Sequence, residues 1–373
     1  MRRWIFGMVL GLGMMGFGMN GMAVVEAQPP GQKVGVSPDV AADYIHAVIQ
    51  ANRRIYAETI VDRLEKTETL QATENWKDEG SLPLPAQFLS MSAKMSNERG
   101  VGMRYRLMSL WPINPENSPK TKIEKTGFQE VVNRPDQPFT WLVQMAGIWY
   151  FQAVYPDIAS TESCIHCHNG HPDSPRHDFK LGDVMGGILI NLPLGRRVQK
   201  TEDQDFLIPP EVVTDYVHSV LESDRTVYSK HVVDRLQKEG VIQASEFWWM
   251  ENGLPLPAQF LLNASRLVRK KQMGLDFRLI SQWPINPLNG PANEFERLGL
   301  ESVAIHPVRP YIGQTRVGQK RYFQAIYPDI AVAESCVLCH NQHPDSPKHD
   351  FQLDDVMGGI VVTLEVQELE DGR

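Results

Sequence analysis

The chain has 373 residues, 42% of them apolar, which is enough to bury more than one core; with domains of ~100–200 residues, two units are expected. Its formal charge of −8 and lack of a basic stripe exclude the electrostatic footprint of a nucleic-acid or anionic-membrane binder. Redox proteins with basic patches, or small molecules, are the partners this charge suits.

The N-terminus carries Arg2 and Arg3, an apolar Gly- and Met-rich run from Trp4 to Met19, and then Val25-Glu26-Ala27, which suits a cleavage site. This predicts a secretory signal over residues 1–27. The residues after the arginines are apolar, which favours ordinary unfolded export over a twin-arginine route. An uncleaved anchor is the alternative, but the run is shorter than the ~20 apolar residues of a spanning helix and is interrupted by glycines. Cleavage removes two arginines and one glutamate, leaving 35 Lys and Arg against 44 Asp and Glu, a net charge of −9. The predicted product is periplasmic or otherwise exported, with no membrane span. Residues 28–37, with Pro29, Pro30 and Gly31, read as a leader.

The rest of the chain is a repeat. Asp43-Tyr44-Ile45-His46 returns as Asp215-Tyr216-Val217-His218, Leu82 to Phe88 as Leu254 to Phe260, Trp111 to Pro115 as Trp283 to Pro287, and Tyr155-Pro156-Asp157-Ile158 as Tyr327 to Ile330, each 172 residues on. An ungapped repeat of this length is a duplicated domain, not a solenoid of ~20–50-residue units. The copies cover residues 38–194 and 210–366. A polar linker, 195–209, closes on Pro209 and Pro210.

Within each copy, apolar residues at Ile45, Val48, Ile49, Ile55, Ile60 and Leu64 predict a long amphipathic opening helix. The Leu-Pro-Leu-Pro segment breaks it, and a second helix is expected from Ala86 to about Lys94. The alternating runs Met103–Met108 and Ile148–Val154 read as strands, and the apolar run Val184–Asn191 closes the copy. Helix first and separated strands later imply an α+β domain with an antiparallel sheet.

All four cysteines lie in two matching settings, Cys164-Ile-His-Cys167-His168 and Cys336-Val-Leu-Cys339-His340. Cys-x-x-Cys-His is the attachment motif for c-type haem: two thiols one helical turn apart can both form thioethers at one porphyrin edge, and the adjoining histidine can ligate the iron. This predicts two covalent haems c, with His168 and His340 as proximal iron ligands. A redox-active disulfide, or a zinc site completed by His168, His171 or His177, would use the same residues. Neither rival explains a histidine directly after the second cysteine in both copies.

After the motif, Asn169-Gly170-His171-Pro172-Asp173-Ser174-Pro175 matches Asn341-Gln342-His343-Pro344-Asp345-Ser346-Pro347, and Asp-Val-x-Gly follows in both copies at Asp183 and Asp355. A single Cys-x-x-Cys-His late in an α+β domain with this continuation resembles the PAS-like c-type haem domains of exported bacterial proteins and of sensor regions in signalling proteins. The resemblance covers nearly all of both copies. It implies two tandem PAS-like domains, each an antiparallel sheet with flanking helices and one covalent haem held against the sheet.

The sixth iron ligand has three candidates. His231 lies on the copy-two opening helix, where Tyr228, Asp224 and Leu221 extend its face in steps of three and four toward a porphyrin; its copy-one counterpart is Thr59. His46 and His218 are present in both copies. Each of the three could equally be a solvated helix histidine, and the paired Met185 and Met357 sit in apolar runs that suit a core. Arg53 with Arg225, and Arg106 with Arg278, are candidate propionate partners or ordinary surface arginines. The function expected from these residues is single-electron transfer without catalysis. The alternative is a haem-based sensor of redox state or of a diatomic gas, acting through a separate partner.

Overall fold

The computed structural model describes residues 33–195 and 207–369. The predicted signal, residues 28–32 and most of the linker lie outside them.

Strand β1 (Lys33–Gly35) precedes helix α1 (Pro38–Arg54), which continues without a break through a π-helical segment, Ile55–Val61, and one more α-turn, Asp62–Lys66. Pro38 at the first helical turn and Asp39 beside it suit the start, where a proline has no hydrogen bond to lose and a carboxylate meets the positive end of the dipole. Helix α2 (Pro85–Glu98) starts at the last proline of the Leu-Pro-Leu-Pro segment, and the Leu84 N–H donates to Gln87 Oε1 at 3.0 Å. Then come β2 (Arg104–Met108), α3 (Lys122–Asn133), β3 (Phe139–Met145), β4 (Ile148–Ile158), the short helix α4 (Glu162–Gly170) and β5 (Val184–Gly195).

Copy two repeats this order with α5 (Pro210–Val227), a π-helical Tyr228–Asp234, α6 (Pro257–Lys270), β6 (Leu275–Ile280), α7 (Glu294–Ile305), β7 (Tyr311–Val317), β8 (Lys320–Ile330), α8 (Glu334–Gln342) and β9 (Val356–Leu369). The fold is α+β in both copies. The copy-one sheet has the order β2-β5-β4-β3 and the copy-two sheet β6-β9-β8-β7, every pair antiparallel. Strand β1 extends β9, pairing Lys33 with Leu369 and Gly35 with Gln367, so the first strand of the chain joins the second copy's sheet. Gly358, from the Asp-Val-x-Gly motif, passes so close to β6 that a Cβ there would lie 2.3 Å from the Ile280 carbonyl oxygen, which only glycine permits.

The opening helices and α2 and α6 pack the copies against each other around one continuous core containing Ile45, Ile49, Phe88, Val217, Leu221 and Phe260. Contacts across it come in reciprocal pairs. The Arg63 guanidinium donates to the Gly253 carbonyl and lies 4.9 Å from the Trp248 ring; Arg235 donates to the Ser81 carbonyl and lies 4.9 Å from the Trp76 ring. These partners differ by 172, so the interface is isologous, as in a two-fold dimer. Asn52 and Asp224 are each other's counterparts and meet at 2.5 Å.

Candidate functional site

Each attachment motif forms a helix of its own, which periodicity alone could not reveal in so short a segment. The Thr161 hydroxyl caps α4 by accepting the Cys164 N–H at 3.4 Å, and the helix ends where the His171 N–H returns to the Cys167 carbonyl. On the flank, the Ser163 hydroxyl donates to Asp62 Oδ1 at 2.5 Å, tying α4 to the last turn of the opening helix. In copy two the Ser335 N–H donates to Asp234 at 3.2 Å.

The post-motif loop is a clamp. Asn169 donates to the Phe179 carbonyl and accepts its N–H, both at 2.9 Å, and Asn341 does the same to Phe351. His171 and His343 accept N–H groups two residues on, and His177 and His349 pair with the carbonyls of Asn169 and Asn341. Arg176 lies over Trp111 and Phe179, and Lys348 over Trp283 and Phe351. These local roles account for the loop's repetition and occupy the extra histidines of a zinc site. Among the described residues, no group of three or more His, Cys, Asp or Glu side chains converges as a metal site.

Beside α4 lies a cavity of about 500 Å3, lined by Cys164, Ser160, Ile158, Asp157, His46, Arg53, Arg54 and Glu58 of copy one and by Leu267, Lys270 and Lys271 of copy two. Asp157 reaches it from a β-bulge at the end of β4 and pairs with Arg53; Arg225 and Asp329 form the equivalent pair in copy two at 2.8 Å. Burial pushes both carboxyls up, against the opposing pull of the arginine. These aspartates, visible in the sequence only as part of the Tyr-Pro-Asp-Ile repeat, were not among the expected site residues. Nor were Lys270 and Lys271, which come from the other copy.

The chemistry of these groups fits a metal-bearing cofactor. Burial, with Arg53 nearby, lowers the His168 pKa; burial and Arg225 push His340 down to about 4. Both rings are therefore neutral at pH 7, the form that binds metal. Burial raises the thiols of Cys167, Cys336 and Cys339, the opposite of the activated thiolate a disulfide-exchange site needs. Thioether formation would remove those protons altogether.

His46 stacks on Tyr155 with centroids 3.9 Å apart, and Tyr155 donates to Asp43 at 2.6 Å; His218, Tyr327 and Asp215 repeat the arrangement. Burial pushes both histidines down to about 3, and the Nε2 of each is buried with no hydrogen bond to the protein, as is Nδ1 of His168 and of His340.

One expectation requires correction. The face of Tyr228, Asp224 and Leu221 does not lie over a porphyrin. Tyr228 donates to the Pro255 carbonyl and stacks on Phe260 within copy two, Asp224 meets Asn52 of copy one, and Leu221 is fully buried, because this face packs into the core that the two copies share. His231 stands with its ring 5.9 Å from Trp76 of copy one. Arg106 and Arg278 are held by Glu124 and Glu296 of α3 and α7, so they offer no unbalanced cation. Arg53 and Arg225 are likewise paired, but Arg53 does line the cavity. Met185 and Met357 are buried in small clusters with Phe179 and Phe351.

No helix among the described residues is long and apolar enough to cross a membrane. No curated protein and no solved structure matches the chain. A family model, Tll0287-like, matches residues 36–193 and again residues 211–364, once on each copy. The chain therefore belongs to the Tll0287-like family, with its domain present twice in tandem.

Proposed function

We propose that the chain is an exported dihaem c-type cytochrome that passes single electrons between redox partners and is not an enzyme. The observation that carries this reading is the setting of the two Cys-x-x-Cys-His motifs. Each forms a separate helix, with the thiols of Cys167, Cys336 and Cys339 raised by burial and the ligand histidine held neutral, and the copy-one helix borders a cavity within the ~300–1,000 Å3 range of cofactor pockets. Cys164 and Cys167, and Cys336 and Cys339, would hold the two haems, with His168 and His340 as proximal ligands. The haem supplies one-electron chemistry, and the protein tunes it by ligand, burial and charge.

The chain's own groups prepare the site. Ser163 and Asp62 fix α4 against the opening helix, and the Asn169 clamp fixes the loop beyond it. The Arg53–Asp157 pair brings a cation to the cavity wall while cancelling most of its charge. His46 and His218 are favoured as sixth ligands over His231, because the Nε2 of each is buried and has no partner in the protein.

The test is the visible spectrum of the purified exported protein, ferric and dithionite-reduced, with and without carbon monoxide. Sharp reduced c-type bands that ignore carbon monoxide are expected from two six-coordinate irons. Carbon monoxide binding at one haem would favour the sensing alternative, and an absence of haem bands would overturn the reading.

A further inference from the structure

Because the copies align without a gap, every wall position of the copy-one cavity has a counterpart 172 residues away, and the charges differ. Gln50 becomes Glu222, Arg54 becomes Thr226, and Glu58 becomes Lys230. Lys270 and Lys271, which copy two lends to the copy-one wall, correspond to Glu98 and Arg99. The exchange is visible in the contacts: Lys271 Nζ donates to Gln50 at 2.6 Å, and Arg99 lies 3.5 Å from Glu222. Copy one thus sets Arg53, Arg54, Lys270 and Lys271 against Glu58 and Asp157, a formal surplus of two positive charges. Copy two sets Arg99, Arg225 and Lys230 against Glu98, Glu222 and Asp329, which balance.

These charges are not equally effective. Lys270, Lys271 and Lys230 are exposed and screened by water and salt. Glu222 has a side chain only 8% exposed and sits 3.9 Å from Arg225, whose charge reaches both Cys336 and His340. At the same place copy one has an exposed, neutral Gln50.

We infer that this charge difference separates the two haem potentials and places the electron on the copy-one haem at equilibrium, with Glu222 as the main determinant. The inference rests on the dihaem reading above. Reduction adds one negative charge, which surplus cations favour and a desolvated carboxylate opposes. One electron passes from the copy-two haem to the copy-one haem, the first oxidised as the second is reduced, with no bond made or broken. Glu222 is a positioning charge and not a catalytic residue.

The test is a spectroelectrochemical titration of the holoprotein at low ionic strength, with a pyridine haemochrome count on every sample. Wild type should show two one-electron steps favouring copy one by about tenfold, which is about 59 mV. Glu222→Gln should raise the lower step and leave the upper one in place. Gln50→Glu should lower the upper step alone, a second readout independent of any disturbance around Arg225. A count of two haems with coincident steps, or with Glu222→Gln moving the upper step or neither, would overturn the inference. A wild-type count below two would instead strike the dihaem reading itself.

Discussion

The two copies share a fold but not the setting of their equivalent residues. In copy one the Arg53–Asp157 pair leaves 19% of the arginine side chain exposed; in copy two the Arg225–Asp329 pair leaves 5%. Asn52 and Asp224 show the same freedom at the centre of the interface. In a symmetric homodimer a residue on the axis meets its own copy, and two buried aspartates there would repel. Joining the copies in one chain allows an amide to face a carboxyl. Duplication has thus kept the attachment helices alike while letting the charges around them diverge.

The strongest way to break this comparison is to disarm one copy at a time. Replacing Cys164 and Cys167 by serine should remove one of two haems and leave the other intact, and replacing Cys336 and Cys339 should do the converse; the haemochrome count per chain reads both. Loss of both haems from either variant would mean that the copies do not load independently.

Next come the ion pairs. Asp329→Asn should destabilise copy two by ~3 kcal/mol in urea unfolding, at the low end of the usual cost for a broken buried pair, because Glu222 remains 3.9 Å from Arg225. Asp157→Asn should cost no more than about half as much, since Arg53 can reach water. Equal losses would erase the distinction.

Asp224 gives a prediction in pH. Burial pushes its carboxyl from 3.8 up to about 7, so between those values the folded chain keeps a proton that the unfolded chain has released. Its contribution to stability therefore falls as pH rises through that window. Asp224→Asn should match wild type near pH 4 and exceed it above pH 7, as compared by urea midpoints. A constant difference across pH would contradict the account.

The smallest effect belongs to the surface. Copy two exposes Phe247, Trp249 and Met250 where copy one has Asn75, Lys77 and Asp78. Exchanging those three for the copy-one identities should change stability by less than about 0.5 kcal/mol per position in thermal melts.

Much of this was legible in the sequence because the repeat is ungapped and the cysteine motifs are local. The opening helix, the helix after Leu-Pro-Leu-Pro and the strands at Arg104 and Ile148 followed from periodicity and proline placement, whereas the strand at Val184 was legible only as an apolar run. The π-helical turns at Ile55 and Tyr228 carry no periodic signal, and α3, β3 and α4 were too weakly patterned to be read. The interface was the larger loss. Leu221 and Tyr228 are apolar or aromatic on a helix face, and such a pattern says that something covers the face without saying what. Its cover is the core that the two copies share and not a porphyrin. The cross-copy lysines were invisible for the same reason, since sequence spacing cannot bring residue 271 to residue 50. Asp157 and Asp329 lay in a repeated motif and could have been found by asking which charged residues recur at the end of an apolar strand.

The central claim, one covalent haem on each copy, is tested most directly by the intact mass of the exported protein after acid–acetone extraction, which strips haem that is not covalently bound. The account predicts a chain heavier than its mature polypeptide by two haems. A mass equal to the bare polypeptide would contradict it.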